Sequence, residues 1–91
     1  METITIKTMR TMESEKTMTI PYFCQTTSNS VICVTGVDTA IRACIFPISG
    51  GASVEIENPK YMSLDLATEI SEDEFFKVYN QAQEAIKGGL L

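Results

Sequence analysis

One amphipathic helix near the carboxyl end of this 91-residue chain constrains its fold more than any other feature. Ser71 followed by Glu74 is the pattern of a capping box, in which two side chains satisfy free amides at a helix start. Acidic residues at 72–74 place negative charge where the first turn favours it. The apolar residues that follow recur every three or four positions: Phe75, Val78, Tyr79, Ala82, Ala85 and Ile86. Because so short a helix is marginal alone in water, we expect residues 71–87 to pack this stripe on the rest of the chain.

The chain before the helix has the composition and alternation typical of β-strands. It contains eleven Thr together with many Ile and Val, which are residues that favour strands. Ile4 and Ile6 alternate with polar residues, as do the apolar residues of the next segment. A hairpin that sets Ile6 opposite Ile20 and Ile4 opposite Tyr22 places both apolar sets on one face. Pro21 cannot donate to a strand ladder, so it indicates an edge position or a bulge.

A second hairpin is predicted from the β-branched run at 31–35 and the strand at 40–48. A two-residue loop at 37–38 sets Val34 opposite Ile41 in this hairpin. The other face then carries a mixed set of side chains: Val31, Cys33, Arg42, Cys44 and Phe46. A second face that is mixed rather than polar predicts a hairpin buried on more than one side.

The strongest turn signal is the run at 49–51, Ser-Gly-Gly, which leads into an alternating strand at 52–57. Glu55 and Glu57 indicate that one side of this strand faces water. Residues 60–68 fit either a strand or an extended loop laid on the core, and the sequence leaves both interpretations open.

These elements predict one α+β domain spanning residues 1–91. Its architecture is an antiparallel, mostly meandering β-sheet of four to six strands with one C-terminal amphipathic helix packed on one face. The predicted core takes apolar residues from every element: Ile4, Ile6, Met18, Ile20, Ile32, Val34, Ile41, Ile45, Val54, Ile56, Phe75, Tyr79, Ala82 and Ile86.

Charge and hydropathy limit the classes of partner. The formal net charge is −5 and lies in the second half: residues 1–48 carry four basic and four acidic side chains, residues 49–91 three basic and eight acidic. An acidic half disfavours nucleic acid, whose readers need a basic footprint, and permits a basic protein partner. The start of the chain lacks the apolar segment of a signal peptide, and no run approaches the roughly 18 apolar residues of a membrane span. We expect neither membrane insertion nor nucleic-acid binding.

The residue types that carry chemistry are few. The chain has no His, which removes the usual general base of a hydrolase. Cys24, Cys33 and Cys44 are too scattered for a zinc site and predict reduced thiols without a catalytic role in a cytoplasmic protein. The acidic residues at 69–74 lack the alternation and central Gly of a calcium loop, and the Gly pair at 50–51 lacks the spacing and Lys of a phosphate loop. We expect no metal and no cofactor.

Two segments carry a resemblance to a known group. Residues 20–24, Ile-Pro-Tyr-Phe-Cys, lie near the end of an early strand, and residues 70–76, Ile-Ser-Glu-Asp-Glu-Phe-Phe, open the closing helix. With the β-rich stretch between them, this pattern resembles small uncharacterised bacterial proteins of prophages and other mobile elements of gut anaerobes. That group carries no assigned activity, so the resemblance implies no functional residue.

The leading functional hypothesis is a non-enzymatic interaction module that binds a protein through a sheet face, an edge strand or the acidic helix end. Its candidate contact residues are large apolar side chains outside the predicted core or at its margin: Phe23, Val31, Phe46, Ile48 and Phe76. The alternative is a small enzyme or small-molecule binder whose site forms between subunits, lined by Arg42, Cys33 or Cys44 with carboxylates.

A homodimer is one expected form of that interaction. The strand at 40–48 is apolar on both sides, so a helix that covers Ile41 and Ile45 leaves Cys44, Phe46 and Ile48 uncovered. A second copy of the chain is the commonest partner for such a patch. The competing possibility is that the apolar residues of 62–66 fold back over it.

Overall fold

A computed structural model describes residues 2–8, 14–62 and 64–89 and places seven strands, two 3₁₀ turns and one helix in them. In chain order the strands are β1 (Glu2–Thr8), β2 (Ser14–Ile20), β3 (Tyr22–Thr27), β4 (Ser30–Val34), β5 (Ala40–Phe46), β6 (Gly51–Glu57) and β7 (Thr68–Glu69). The 3₁₀ turns are Pro59–Tyr61 and Leu64–Leu66, and the helix α1 is Glu72–Gly89. The connection predicted between β1 and β2 falls largely at 9–13, outside the described residues.

The strands form two antiparallel sheets. The larger has five strands in the order β6-β5-β4-β3-β7, and four of these follow one another in the chain as a meander. The smaller is the β1–β2 hairpin. The predicted α+β class, the antiparallel meander and the single C-terminal helix are confirmed for the described residues.

Helix α1 covers one face of the five-stranded sheet. One half of the predicted capping box is confirmed, because the Glu74 amide donates to Ser71 Oγ over 3.1 Å. The Glu74 carboxylate instead accepts from the Ser71 hydroxyl, over 3.2 Å. Phe75 and Ala82 are buried against the sheet together with side chains of β4 and β5. The helix contacts β3, β4, β5 and β6, so its apolar stripe crosses four strands.

The opposite face of the sheet is covered by the β1–β2 hairpin and the two 3₁₀ turns. The buried cluster on this side joins three layers of apolar side chains: Ile4, Ile6, Met18, Tyr22, Cys24, Ile32, Val34, Ala40, Met62 and Leu64. Lys16 of β2 links the hairpin to the second 3₁₀ turn and to β3. Its ammonium donates to the Leu64 carbonyl over 3.1 Å and lies 5.1 Å from the centre of the Tyr22 ring. The segment that was ambiguous in sequence therefore contributes two buried residues to this cover, Met62 and Leu64, and it ends in the short strand β7.

The strand predicted from residue 16 to residue 24 is two strands that belong to different sheets. β2 ends at Ile20 and β3 begins at Tyr22, with the exposed Pro21 between them. Proline has no amide to donate, so neither ladder continues through this position. The β1–β2 register also differs from the prediction: Ile4 lies opposite Met18, and Ile6 opposite Lys16. The shift is an even number of residues, which keeps the apolar side chains on the predicted face.

The register predicted for the second hairpin was wrong by one residue. Val34 pairs with Ala40 rather than Ile41, because the loop spans residues 35–39 and the amides of Thr35 and Gly36 both donate to the Thr39 carbonyl. A shift of one residue moves each side chain of one strand to the other face. Val34 and Ile41, which were predicted to share a face, therefore lie on opposite faces of the sheet.

The predicted core is confirmed in its centre and wrong at one edge. Seven of the predicted core residues are buried: Ile4, Ile6, Met18, Ile32, Val34, Phe75 and Ala82. Ile56 is 77% exposed, since it lies on the edge strand β6, and the helix does not cover it. The prediction missed several buried residues, among them Val31, Ala43, Met62 and Leu64.

Two leucines of the same 3₁₀ turn test this cover. Leu64 is fully buried, whereas Leu66 is 72% exposed. We expect Leu64→Ala to lower the free energy of unfolding by about 2–5 kcal/mol, because it leaves a cavity in the core. Leu66→Ala should change it by less than about 0.5 kcal/mol. Urea unfolding followed by circular dichroism measures both, and equal losses would contradict the placement of this turn.

Candidate functional site

The structure separates the five predicted contact residues into different environments. Phe46 and Ile48 lie at the tip of the β5–β6 hairpin and are 47% and 103% exposed. Phe23 and Phe76 lie on the helix side of the sheet, half-buried and 43% exposed respectively. Val31 is fully buried under the helix, so this residue is removed from the candidate surface. Its placement follows from the register of β4 with β5, which turns Val31 towards the helix together with Ala43.

The tip of the β5–β6 hairpin is a tight turn at residues 47–50. The Gly50 amide donates to the Phe46 carbonyl over 2.8 Å, and the Gly51 amide donates to Ser49 Oγ over 3.3 Å. Gly50 has φ +77°, a left-handed conformation that glycine adopts without steric cost. These contacts confirm the predicted turn and hold Ile48 out in water.

Phe46 continues the apolar tip onto the sheet. It pairs with Gly51 across the strands, and its ring lies so close that a Cβ on Gly51 would be 3.8 Å from Phe46 Cδ2. The ring therefore rests on backbone that has no side chain of its own, with nearly half of its surface left in water. Two large apolar side chains thus stand exposed, two residues apart, on a hydrogen-bonded turn.

The buried cluster formed by the described residues does not extend over the β5–β6 half of the hairpin-side face. We call this half the open face and define it by alternate residues of the two strands: Arg42, Cys44, Phe46, Ser53, Glu55 and Glu57. The buried cluster beneath the β1–β2 hairpin reaches Ala40 and includes none of these six. The fold-back of residues 62–66, which was the competing possibility for this patch, therefore covers a neighbouring part of the sheet.

One ion pair crosses the open face. Arg42 Nε lies 3.3 Å from Glu57 Oε2, and both side chains are about one-third exposed. These two atoms are shielded from water and have no well-aligned hydrogen bond among the described residues, so their attraction is chiefly one of charge. Glu55, which lies directly opposite Arg42 in the register, is exposed and forms no ion pair within the described residues.

A second aromatic surface lies at the start of the helix. The Phe76 ring stacks near Tyr79 with centroids 5.9 Å apart and lies 6.3 Å from Phe23. Phe75 completes the group beneath, 5.3 Å from Phe23. Phe75 is buried and Phe23 and Tyr79 are partly buried, so Phe76 is a single exposed ring rather than part of a continuous apolar patch.

The three cysteines are free, and they do not share a site. Cys33 and Cys44 lie on adjacent strands, but Cys33 faces the helix and Cys44 lies on the open face. The sheet therefore separates these two thiols. Ser30 Oγ lies 3.3 Å from the partly exposed Cys44 Sγ.

Burial keeps two of these thiols protonated. It raises the pKa of the Cys24 thiol from 9.0 to about 11, against a smaller lowering effect of Lys16. Burial also raises the pKa of Cys33, and the charge of Glu72 raises it further. Thiolate, not thiol, is the nucleophile, so both environments oppose cysteine chemistry at neutral pH.

Two grooves in the described part of the chain are shallow and open to water. One groove of about 340 Å³ lies between the helix and the β3–β4 turn, and another of about 320 Å³ lies beside the β1–β2 hairpin. Neither groove is lined by Arg42 or a cysteine, which are the residues named for a small-molecule site. Within residues 2–8, 14–62 and 64–89 no three metal-binding side chains come together. Among the same residues, no helix is long and apolar enough to cross a membrane.

Comparison with known proteins identifies no relative. No protein-family model matches the chain, and neither a curated protein nor a solved structure matches it. The candidate site therefore rests on the geometry of this chain.

Sequence reasoning missed that β6 is an edge strand. The signal that was available is the alternation of Glu55 and Glu57 along it, since charged residues are common on edges that must not aggregate. Asn58 and Pro59 follow at once and end the strand. Within residues 2–8, 14–62 and 64–89, no further strand pairs with this edge.

Thiol accessibility provides a first test of these placements. At neutral pH in the native protein, we expect a thiol reagent to label Cys44 first and to label Cys24 and Cys33 slowly, because both are buried and protonated. All three should react in denaturant. Mass spectrometry of labelled peptides identifies the sites, and Cys44→Ser is the control. Fast native labelling that survives this substitution would contradict the assignment.

The raised pKa of Cys24 also predicts a pH dependence of stability. The folded chain holds this proton to higher pH than the unfolded chain does, so its contribution is complete below pH 9 and is lost as pH rises to about 11. We expect the free energy of unfolding to fall by up to about 2–3 kcal/mol over this window from this group. The fall should be smaller in Cys24→Ala, and urea unfolding at both ends of the window measures the difference.

Proposed function

We propose that this protein is a non-enzymatic interaction module that binds another protein through the β5–β6 hairpin. The observation that carries the proposal is the pair Phe46 and Ile48, exposed together on a turn whose backbone is held by hydrogen bonds. Exposed large apolar side chains on a preorganised element resemble the anchors that dominate protein interfaces, since little conformational entropy is lost when they bind.

The open face supplies the polar margin of such a contact. Arg42, Ser53 and Glu55 lie on the same side of the sheet as Phe46, and they follow it along the two strands away from the tip. They can form part of a polar rim such as borders the apolar centre of many interfaces. Its flat, strand-built surface suits a protein partner better than a small molecule, which most often binds in a concave pocket.

The alternative of a small-molecule site between subunits has less support. Of the residues proposed to line it, Arg42 and Cys44 lie on the open face, whereas Cys33 is buried on the other face. A homodimer remains one form of the proposed interaction, in which the open faces of two copies meet. We also propose a cytoplasmic location, which the three free cysteines support.

Charge substitutions at the tip test the proposal. Ile48→Glu and Phe46→Glu should weaken binding of the partner by about tenfold or more, because a carboxylate then replaces an apolar anchor. Both variants should stay folded, since neither side chain lies in the core. Affinity capture with quantitative mass spectrometry measures hetero-partners, and light scattering after size exclusion measures self-association.

Leu66→Glu is the matched control, because it places the same charge at an exposed leucine away from this surface. It should leave binding unchanged. If both tip variants capture the same proteins and keep the same mass as the wild type, the hairpin is not the contact surface and the proposal fails.

A further inference from the structure

The outer edge of β6 is open. β6 (Gly51–Glu57) pairs with β5 over its whole length without a bulge, and no strand lies on its other side among the described residues. The backbone amides and carbonyls directed to that side can therefore pair with an added strand. The strand at the other edge of the sheet, β7, has only two residues. Among the described residues, β6 is thus the longer free edge of this sheet.

The side chains that flank this edge differ between the two faces. On the helix side they are apolar, and Ile56 is 77% exposed there. On the open face they are polar or acidic, and the carboxylate of Glu57 is already paired with Arg42. Glu55 is exposed and has no ion pair within the described part of the chain. A strand added to β6 meets apolar surface on one side and an unneutralised carboxylate on the other.

We propose that β6 binds an extended segment of a partner protein as a further strand, and that this segment alternates basic and apolar residues. Strand side chains alternate between faces, so residues opposite Val54 and Ile56 are apolar while the residue opposite Glu55 is Lys or Arg. Backbone hydrogen bonds provide the affinity and the alternating side chains the selectivity, as in other cases of strand addition. The inference rests on the proposed function, whose partner it specifies.

Charge favours this occupant over a second copy of the chain. Two copies of β6 can pair as antiparallel strands related by a two-fold axis. If the axis passes through Glu55, the two Glu55 carboxylates lie opposite each other, and if it passes through Ile56, Glu55 lies opposite Glu57. If the axis passes through Val54, no carboxylates lie opposite each other, but neither Glu55 nor Glu57 gains a basic partner. Each copy also brings a formal net charge of −5. The same carboxylates that oppose self-pairing attract a basic strand.

Peptide binding tests the proposal directly. The probe is a synthetic peptide of the length of β6 in which Lys and Val alternate. One control peptide has the same composition with the Lys and Val residues in separate blocks, and another replaces Lys by Glu. Calorimetry should show saturable binding of the alternating Lys/Val peptide to the wild-type protein and none of either control. Hydrogen exchange should slow at the β6 amides and stay unchanged in β1.

Charge reversal then locates the contact. Glu55→Lys should weaken binding of the Lys/Val peptide by about fivefold, the scale of one exposed ion pair, and should create binding of the Glu/Val peptide. Glu84→Lys changes the net charge equally at an exposed position of the helix. At an ionic strength of about 0.15 M distant charges are screened, so this control should bind as the wild type does.

Three outcomes overturn the inference. They are absence of saturable peptide binding, equal losses for Glu55→Lys and Glu84→Lys, and a wild-type dimer whose β6 amides are protected without peptide. If the peptide fails while Ile48→Glu still abolishes partner capture, the hairpin surface stands and only strand addition is wrong. If the peptide binds while both tip variants capture partners normally, strand addition stands and the role of the tip is wrong.

Discussion

The structure depends on a central strand that is apolar on both faces. In β4, Val31 and Cys33 face the helix, and Ile32 and Val34 face the β1–β2 hairpin, all of them at most 7% exposed. A strand of this kind is stable only if each face of its sheet is covered, because uncovered apolar surface on either side costs free energy in water. The helix provides one cover. The hairpin and the 3₁₀ turns provide the other, and the order of layers follows from this requirement.

The two covers are unequal, and the candidate surface is a consequence. The helix crosses the sheet from β3 to β6, whereas the buried cluster on the other side ends at Ala40. The β5–β6 hairpin therefore extends beyond the buried cluster on one face of the sheet, and its second strand, β6, forms one edge of the sheet. Its sequence fits that position: acidic residues alternate along β6, and Arg42 neutralises only Glu57 within the described residues. The apolar tip is the exception, since Phe46 and Ile48 are large apolar side chains that remain exposed.

Local signals predicted the parts of the fold that local interactions decide. The helix start at Ser71, the turn around Gly50 and the shared apolar face of β1 and β2 need only neighbouring residues or a short hairpin, and each is confirmed. For the candidate site, sequence correctly selected Phe46 and Ile48 as exposed side chains and wrongly included Val31. That error came from a single residue of register, which no local pattern in the β4–β5 loop determines.

The sequence by itself determined that most of the chain before the helix forms strands, where the helix begins and which side of the helix is apolar, because periodicity and capping are properties of consecutive residues. Only the tertiary structure decided which face of each strand is covered, that Met62 and Leu64 complete the second core, and that β6 is an edge among the described residues. Those outcomes depend on pairing between distant segments. A loop longer by a few residues, or a proline such as Pro21 that ends one ladder and precedes another, changes them without altering the alternation of apolar and polar residues in the strands.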